Sequence, residues 1–204
     1  MSRVYSVGNT RTTFLDISDN DDTCIIVSVN PDKENEVIKT CKKVVFFKYN
    51  ENFPFKIHYR EPKRAGDDRV AFAAFAFYEG IYPSYLLDAG TFITVDYFDG
   101  NNLYPMATIP GFNTQIKTLQ NAFNLRGLNV KKPKEEFPKS PEESLYNGIF
   151  VITGLGINAM LKERGEILIT GGDATTLHTL LKRGVIVKNA PLIGAYMSYQ
   201  NGII

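Results

Sequence analysis

The sequence predicts an α/β protein in which mixed β-sheets are flanked by helices and a cleft separates two similar halves. The first observation is a strand–glycine turn–strand unit that occurs twice, around Gly8 and around Gly90. The second is the alternation of short apolar runs such as Cys24–Val29 with helical segments. Two turns of one design, 82 positions apart (90 − 8), indicate a duplicated domain whose turns face each other. We therefore predict domains 1–86 and 87–204.

The first half is predicted to contain four strands and two helices. Proline at the first turn and acidic residues behind it favour the first helix, and an Asp-Asp-Arg start favours the second. In chain order these elements are the strands Arg3–Val7, Thr12–Ile17 and Cys24–Val29, the helix Pro31–Lys39, the strand Val44–Phe47 and the helix Asp67–Glu79.

The second half repeats the sheet and adds further helices. Its predicted elements are the strands Ser84–Leu87, Phe92–Tyr97 and Leu103–Ile109, a helix after Pro110-Gly111, the helix Glu142–Glu163, the strand Ile167–Ile169 and the helix Ala174–Lys182. Ile116, Leu119 and Phe123 recur at helical spacing and predict a core-facing stripe. The proline-rich segment from Lys131 to Pro141 is predicted to be a surface loop.

Charge and composition exclude several classes of protein. A formal net charge of +1 gives no basic field, so we expect no nucleic-acid partner. The most apolar stretch, Val70–Tyr78, is too short to span a bilayer, so we expect no membrane association. Cys24 and Cys41 are too few for a disulfide framework or a zinc site, which favours a reduced, cytoplasmic compartment.

The turn at Gly90 is interpreted as a phosphate site. Gly90 is expected to adopt a backbone conformation closed to residues with a Cβ, which turns the chain's amides toward an anion. Asp88 could hold a cation against that anion, and Thr91 could add a hydroxyl donor. An ordinary β-hairpin is the alternative for this turn alone, but the second copy at Gly8 favours the phosphate interpretation. Ser6 occupies the position in the first turn that Asp88 occupies in the second.

A third glycine turn, Thr170-Gly171-Gly172-Asp173, lies between a predicted strand and a predicted helix. The start of a helix after such a turn is a favourable place for a nucleotide's phosphate or flat face. A plain strand-to-helix turn with Asp173 as the N-cap is an equally valid interpretation of this stretch alone.

Five motifs stand out when they are taken together in order and spacing: Gly8-Asn9-Thr10, Tyr59-x-x-Pro62-x-x-x-Gly66-x-Asp68-Arg69, Asp88-Ala89-Gly90-Thr91-x-x-Thr94-x-Asp96, Pro110-Gly111 and Thr170-Gly171-Gly172-Asp173-Ala174. Together they resemble the motifs of type III pantothenate kinases, some of which carry the older name of Bvg accessory factor. The resemblance implies the actin-like fold of acetate and sugar kinases, with two ribonuclease-H-like domains and ATP between them. It also implies a homodimer that uses Mg²⁺ with ATP and a monovalent cation, K⁺ or NH₄⁺.

The reaction implied is ATP-dependent phosphorylation of pantothenate to 4′-phosphopantothenate, the first step of coenzyme A biosynthesis. By this resemblance Asp68 is the catalytic base and Asp88 binds the monovalent cation. The substrate-binding positions implied are Tyr59, Gly66, Asp67, Arg69 and Pro141. The ATP-binding positions implied are Ser6, Gly8, Asn9, Thr10, Arg11, Thr91, Gly171 and Gly172. Asp67-Asp68-Arg69 is also an ordinary helix start, because acidic residues in the first turn interact favourably with the helix dipole. This structural role holds whether or not the motif is functional.

Three departures from the family pattern define a second hypothesis. Ser6 replaces an aspartate, Pro105-Met106 replaces a Gly-Gly pair, and Pro141 stands where the family has a substrate-contacting threonine. The alternative is therefore a catalytically weak or inactive relative that acts as a binding or regulatory protein. In an active enzyme without the first aspartate, Mg²⁺ would be held by ATP phosphates, waters and other carboxylates such as Asp96.

Overall fold

The computed structural model describes residues 1–19, 21–122, 127, 129–162 and 165–204, which form two mixed β-sheets flanked by helices. The first sheet has the order β2-β1-β3-β4. Its strands are β1 (Ser2–Val7), β2 (Thr12–Ile17), β3 (Thr23–Ser28) and β4 (Lys43–Phe46). β1 and β2 form the predicted antiparallel hairpin, and β3 and β4 run parallel to β1.

The second sheet has six strands in the order β10-β9-β6-β7-β8-β5. They are β5 (Lys56–Ile57), β6 (Ser84–Ala89), β7 (Phe92–Phe98), β8 (Asn102–Pro110), β9 (Glu166–Thr170) and β10 (Val185–Ile186). β6, β7 and β8 form an antiparallel meander, whereas β9 and β10 run parallel to β6. The two-residue strands β5 and β10 have no counterpart among the predicted elements.

Seven α-helices flank the sheets within the described part of the chain. They are α1 (Pro31–Ile38), α2 (Asp67–Tyr78), α3 (Phe112–Ala122), α4 (Pro141–Tyr146), α5 (Ile152–Met160), α6 (Ala174–Leu181) and α7 (Ala190–Gln200). The predicted helix from Glu142 is helical from Pro141 to Met160, with a π-helical segment at Asn147–Val151. α7 was not predicted. Ile116 and Leu119 pack against the core as expected, whereas Phe123 lies outside the described residues.

The same four-strand pattern occurs in both sheets. β2-β1-β3-β4 and β7-β6-β9-β10 have matching order and matching strand directions. α1 and α6 connect the last two strands of each set, and α2 and α7 follow them. The boundary proposed between residues 86 and 87 falls inside β6, and the division into two domains stays a prediction.

Helix α2 lies against α7 in the middle of the molecule. Every residue from Val70 to Ala76 is buried, because α7 and both neighbouring sheets cover the helix. The apolar character of this stretch is thus explained by the core of the chain itself. The residues from Val70 to Ala76 therefore need no partner subunit to cover them.

Cys24 and Cys41 form a disulfide in the structure, with their Cα atoms 5.9 Å apart. Cys24 lies in β3 and Cys41 follows α1, so the parallel crossover from β3 to β4 returns the second cysteine to the first. The expectation of a reduced pair is therefore wrong, because a count of cysteines contains no information on their proximity. Among the described residues, no helix has the length and apolar character needed to cross a bilayer.

Candidate functional site

The two repeated turns meet at the mouth of a cleft of about 340 Å³ that residues of both sheets line. The hydroxyl oxygens of Thr10 and Thr91 lie 2.7 Å apart across it. The expectation that the two glycine turns face each other is confirmed. The predicted site residues that line the cleft are Ser6, Gly8, Asn9, Thr10, Arg11, Asp68, Asp88, Thr91, Gly171 and Gly172.

The first turn is closed by its own backbone and supported by α1. The Gly8 amide donates to the Arg11 carbonyl at 3.1 Å, which makes the tight connection between β1 and β2. Lys33 in α1 donates from Nζ to the Asn9 carbonyl at 2.9 Å. This bond places the positive charge of Lys33 beside the turn, where it would attract a phosphate group.

The second turn is shaped by Gly111 more than by Gly90. The φ of Gly90 is not in the left-handed region, and a Cβ there would meet its nearest neighbour at an ordinary 3.6 Å. The expectation that Gly90 adopts a conformation closed to other residues is wrong. A Cβ on Gly111 would instead lie 2.1 Å from the Gly90 carbonyl oxygen. The Gly111 amide donates to the Thr91 carbonyl at 2.8 Å, which locks the turn against the start of α3.

The third turn requires Gly171, and its Gly172 faces the end of the Arg11 side chain. Gly171 has φ +94°, and a Cβ there would lie 2.4 Å from the Ala89 carbonyl oxygen and from Asp88 Oδ1. A Cβ on Gly172 would lie 1.9 Å from Nη2 of Arg11, which reaches across from the first turn. Asp173 is the N-cap residue of α6, but its side chain makes no capping hydrogen bond. The three turns thus converge on one space.

Two carboxylates face that space, and their environment makes both less acidic than usual. Asp68 lies in the first turn of α2, where its Oδ1 accepts from the Arg69 amide at 2.9 Å, and burial raises the pKa of Asp68. Burial also raises the pKa of Asp88 to about 7; the charge of Asp68 adds to this, and Arg69 and Arg11 partly oppose it. Asp88 is therefore suited to hold or exchange a proton near neutral pH, and Asp68 is a stronger base than an exposed aspartate.

The remaining predicted substrate positions do not line the cleft. Gly66 is the N-cap residue of α2. Asp67 is buried and paired with Lys48, although burial still raises its pKa. Arg69 is buried beneath the site, where Nη1 donates to the Tyr59 hydroxyl at 3.3 Å. Pro141 lies at the start of α4, after the N-cap Ser140, and is exposed.

One wall of the cleft was not predicted from the sequence. It is formed by the segment from β10 to the start of α7 and includes Ile186, Lys188, Asn189, Pro191 and Leu192. Asn189 is the N-cap residue of α7 and has φ 58°. The Asn-Ala-Pro run is a helix-start signal, since Asn favours the N-cap and Pro the first turn, and it could have located this helix.

The cleft presents few carboxylates to a cation. Among the described residues, no group of three or more His, Cys, Asp or Glu side chains could hold a metal ion. Asp68 and Asp88 are the carboxylates that line the cleft. Asp96 is paired with Arg69 and does not line it, so the expectation that Asp96 helps to hold Mg²⁺ is not supported. Mg²⁺ commonly keeps several waters and needs few protein ligands.

The chain is similar in sequence to a family of known proteins. The family model described as "Type III pantothenate kinase" matches residues 5–163. The chain belongs to the type III pantothenate kinase family. A type III pantothenate kinase of Persephonella marina is 32% identical over 167 residues, which cover 74% of this chain and 64% of that protein. One of Flavobacterium johnsoniae is 31% identical over 157 residues, covering 72% and 64%. The matched region thus spans just under two thirds of these relatives' length.

A solved structure shares the fold along almost the whole chain. It is a "conserved putative Baf family transcriptional activator" of Campylobacter jejuni, with a TM-score of 0.73 and 20% sequence identity. The match covers 99% of this chain and 100% of that one. At this identity the likeness shows the fold alone.

Proposed function

We propose that this chain phosphorylates pantothenate with ATP to give 4′-phosphopantothenate, the first step of coenzyme A biosynthesis. The observation that carries the proposal is the position of Asp68 in the cleft where the three glycine turns converge. Family membership supports the same reaction. The names of the relatives do not favour the alternative of an inactive binding or regulatory protein.

In the proposed mechanism the turns at Gly8, Thr91 and Gly171 hold the phosphates of ATP. Their backbone amides and the two threonine hydroxyls are donors suited to phosphate oxygens. Arg11 and Lys188 line the same cleft and add positive charge. These groups position the terminal phosphoryl group and neutralise its oxygens, which is most of what phosphoryl transfer requires of a protein.

Asp68 acts on the acceptor in this mechanism. Its carboxylate orients the attacking hydroxyl of pantothenate and takes its proton late in the transfer, because the transition state is loose. Burial raises the pKa of Asp68, which makes it a stronger base than an exposed aspartate. The residues assigned to the binding of pantothenate, the phosphoryl acceptor, are Tyr59, Gly66, Asp67 and Arg69.

Two cations belong to the proposal. Mg²⁺ would enter with ATP and offset the charge that develops on the phosphate oxygens. Asp88 would bind K⁺ or NH₄⁺, and the partial protonation expected from its pKa of about 7 predicts that cation binding strengthens as pH rises. ATP as donor favours a cytoplasmic location.

The direct test is turnover of the purified chain with ATP, Mg²⁺, K⁺ and pantothenate, with 4′-phosphopantothenate identified by mass spectrometry. Omission of pantothenate is the control for ATP hydrolysis. We expect one equivalent of ADP for each phosphorylated pantothenate. Absence of product from folded protein at saturating substrates would overturn the proposal.

Ser6→Asp is expected to tighten Mg²⁺-ATP binding. Ser6 lines the cleft at the end of β1, so a carboxylate there would lie close to the bound phosphates and could hold the metal. Titrations of Mg²⁺ and ATP with both forms measure the effect, and Ser6→Asn controls for the change in size. Equal or weaker binding in Ser6→Asp would mean that the loop is organised around serine.

A homodimer is expected in solution, as the family resemblance implies. Because α2 is covered by α7, the interface must use another surface. Light scattering at micromolar concentration should give twice the mass of one chain. A monomer would contradict the expectation and would exclude an acceptor site shared between subunits.

A further inference from the structure

The guanidinium of Arg69 is held beneath the cleft by groups from three directions. Arg69 lies in the first turn of α2 and is only 7% exposed. Nη2 donates to the Ala107 carbonyl at 2.8 Å and to the Thr108 hydroxyl at 2.6 Å. Nη1 lies 3.2 Å from Asp96 Oδ1 and donates to the Tyr59 hydroxyl at 3.3 Å. A side chain with this many partners has one orientation.

An irregularity in the sheet creates part of this arrangement. β7 and β8 pair with Val95 opposite Ala107, but the next residue, Asp96, lies opposite Pro105. Met106 is therefore the extra residue of a β-bulge. Proline has no amide to donate to a ladder, and a bulge re-aims the groups beside it. The neighbouring Ala107 carbonyl is directed at Arg69. Pro105-Met106, where the sequence departs from the family pattern, thus directly precedes the Ala107 carbonyl that accepts from Arg69.

Asp96 is the acidic partner of Arg69 in this group, and burial raises the pKa of Asp96 to about 7 although Arg69 opposes the shift. Asp96 is 1% exposed, and Oδ1 has no hydrogen-bond partner in the described structure although Arg69 is at ion-pair distance. A buried carboxylate without a nearby cation is costly, and so is a buried guanidinium without an anion. Each residue therefore fixes the other. The Asp96 side chain does not line the cleft, so it can affect a bound ligand only through Arg69.

The contact of Arg69 with Tyr59 differs from the others. It is the longest of the three hydrogen bonds, and Tyr59 is 38% exposed whereas Asp96 is buried. A ligand that carries an acceptor oxygen could replace the tyrosine hydroxyl on Nη1 without disturbing Asp96, Ala107 or Thr108. Replacement of a neutral partner by a carboxylate would strengthen the hydrogen bond.

We propose that Asp96 is a positioning residue for the acceptor substrate: together with Thr108 it holds Arg69 so that Nη1 can exchange Tyr59 for the carboxylate of pantothenate. This inference rests on the proposed function. It predicts that the buried pair of Asp96 and Arg69 contributes to the affinity for pantothenate. It predicts no contribution to the affinity for ATP, whose phosphates are proposed to lie against the glycine turns.

The test is steady-state kinetics of Asp96→Asn, which preserves the shape of the side chain and removes its charge. We expect the KM for pantothenate to rise by about tenfold or more, as is usual for loss of a charged partner, and the KM for ATP to change less than about twofold. Thr108→Val removes a neutral partner and should raise the KM for pantothenate by roughly two- to tenfold. It is also the second test if Asp96→Asn does not fold.

Ile93→Val is the matched control, because Ile93 is buried in β7, the strand that also carries Asp96, and packs in the apolar core with Leu87 and Val95. It should lower stability slightly and leave both KM values unchanged. Equal increases of both KM values, or an unchanged KM for pantothenate in folded Asp96→Asn and Thr108→Val, would overturn the inference. If the parent chain shows no turnover, the proposed function fails, and calorimetric titration of pantothenate into the parent and variants makes the same comparison.

Discussion

Asp68→Asn is expected to lower the turnover of pantothenate by about 10²–10⁴-fold, the range typical for loss of a general base. The amide keeps the shape of the side chain but cannot accept the proton of the attacking hydroxyl. The fold should persist, because Asp68 accepts from the Arg69 amide at the start of α2 and the Asn oxygen can make the same bond. Loss of kcat with a preserved circular dichroism spectrum is the expected result.

The control for Asp68→Asn is the same change from a carboxylate to an amide at a position away from the cleft. Asp16→Asn meets this need, since Asp16 is exposed on β2 and pairs with Arg3. It should retain the activity of the parent chain. Near-parental turnover in Asp68→Asn would show that Asp68 only begins the helix, and the mechanism would then need another base.

Gly194→Ala is expected to destabilise the fold by about 2–3 kcal/mol, which corresponds to a fall in Tm of roughly 4–12 °C for a chain of this length. α2 and α7 approach so closely at Gly194 that a Cβ would lie 2.0 Å from the Ala71 carbonyl oxygen and 2.6 Å from the Phe75 amide nitrogen. Backbone atoms cannot rotate away as a side chain can. The two helices must separate, and the core between them loses contact. Thermal unfolding measures the change.

Gly156→Ala is the matched substitution, because Gly156 is also inside a helix but exposed, with no atom within 4 Å of an added Cβ. It should raise stability by up to about 1 kcal/mol through helix propensity. A Gly194→Ala variant as stable as Gly156→Ala would mean that the helices separate easily at their crossing point.

Local pattern was sufficient for most of the chain's elements. The hairpin of β1 and β2, the buried strand β3 and helices α1 and α2 each have their own signal in turn residues, apolar runs or helix-start residues. The shared design of the turns at Gly8 and Gly90 also predicted that they would meet. Each strand, helix and turn depends on residues close together in the chain, so the sequence contains it directly, and the meeting of the two turns was inferred from their repetition.

Other parts of the site depend on residues that are distant in the chain. α7 carries apolar residues on most of its surface because it packs between α2 and the first sheet, and it therefore lacks the one-sided pattern by which a surface helix is identified. The segment before α7 nevertheless forms a wall of the cleft. β5 and β10 are two residues long and cannot show periodicity.

The sequence by itself determined the α/β class, the three glycine turns and the family to which the chain belongs. The tertiary structure alone decided that Cys24 meets Cys41, that Gly111 rather than Gly90 makes the tight contact at the second turn, and that Asp96 faces Arg69 instead of the cleft. The physical reason is common to all three. Each is a contact between separate elements, and its distance depends on how strands and helices pack, whereas a motif specifies only which residues follow one another along the chain.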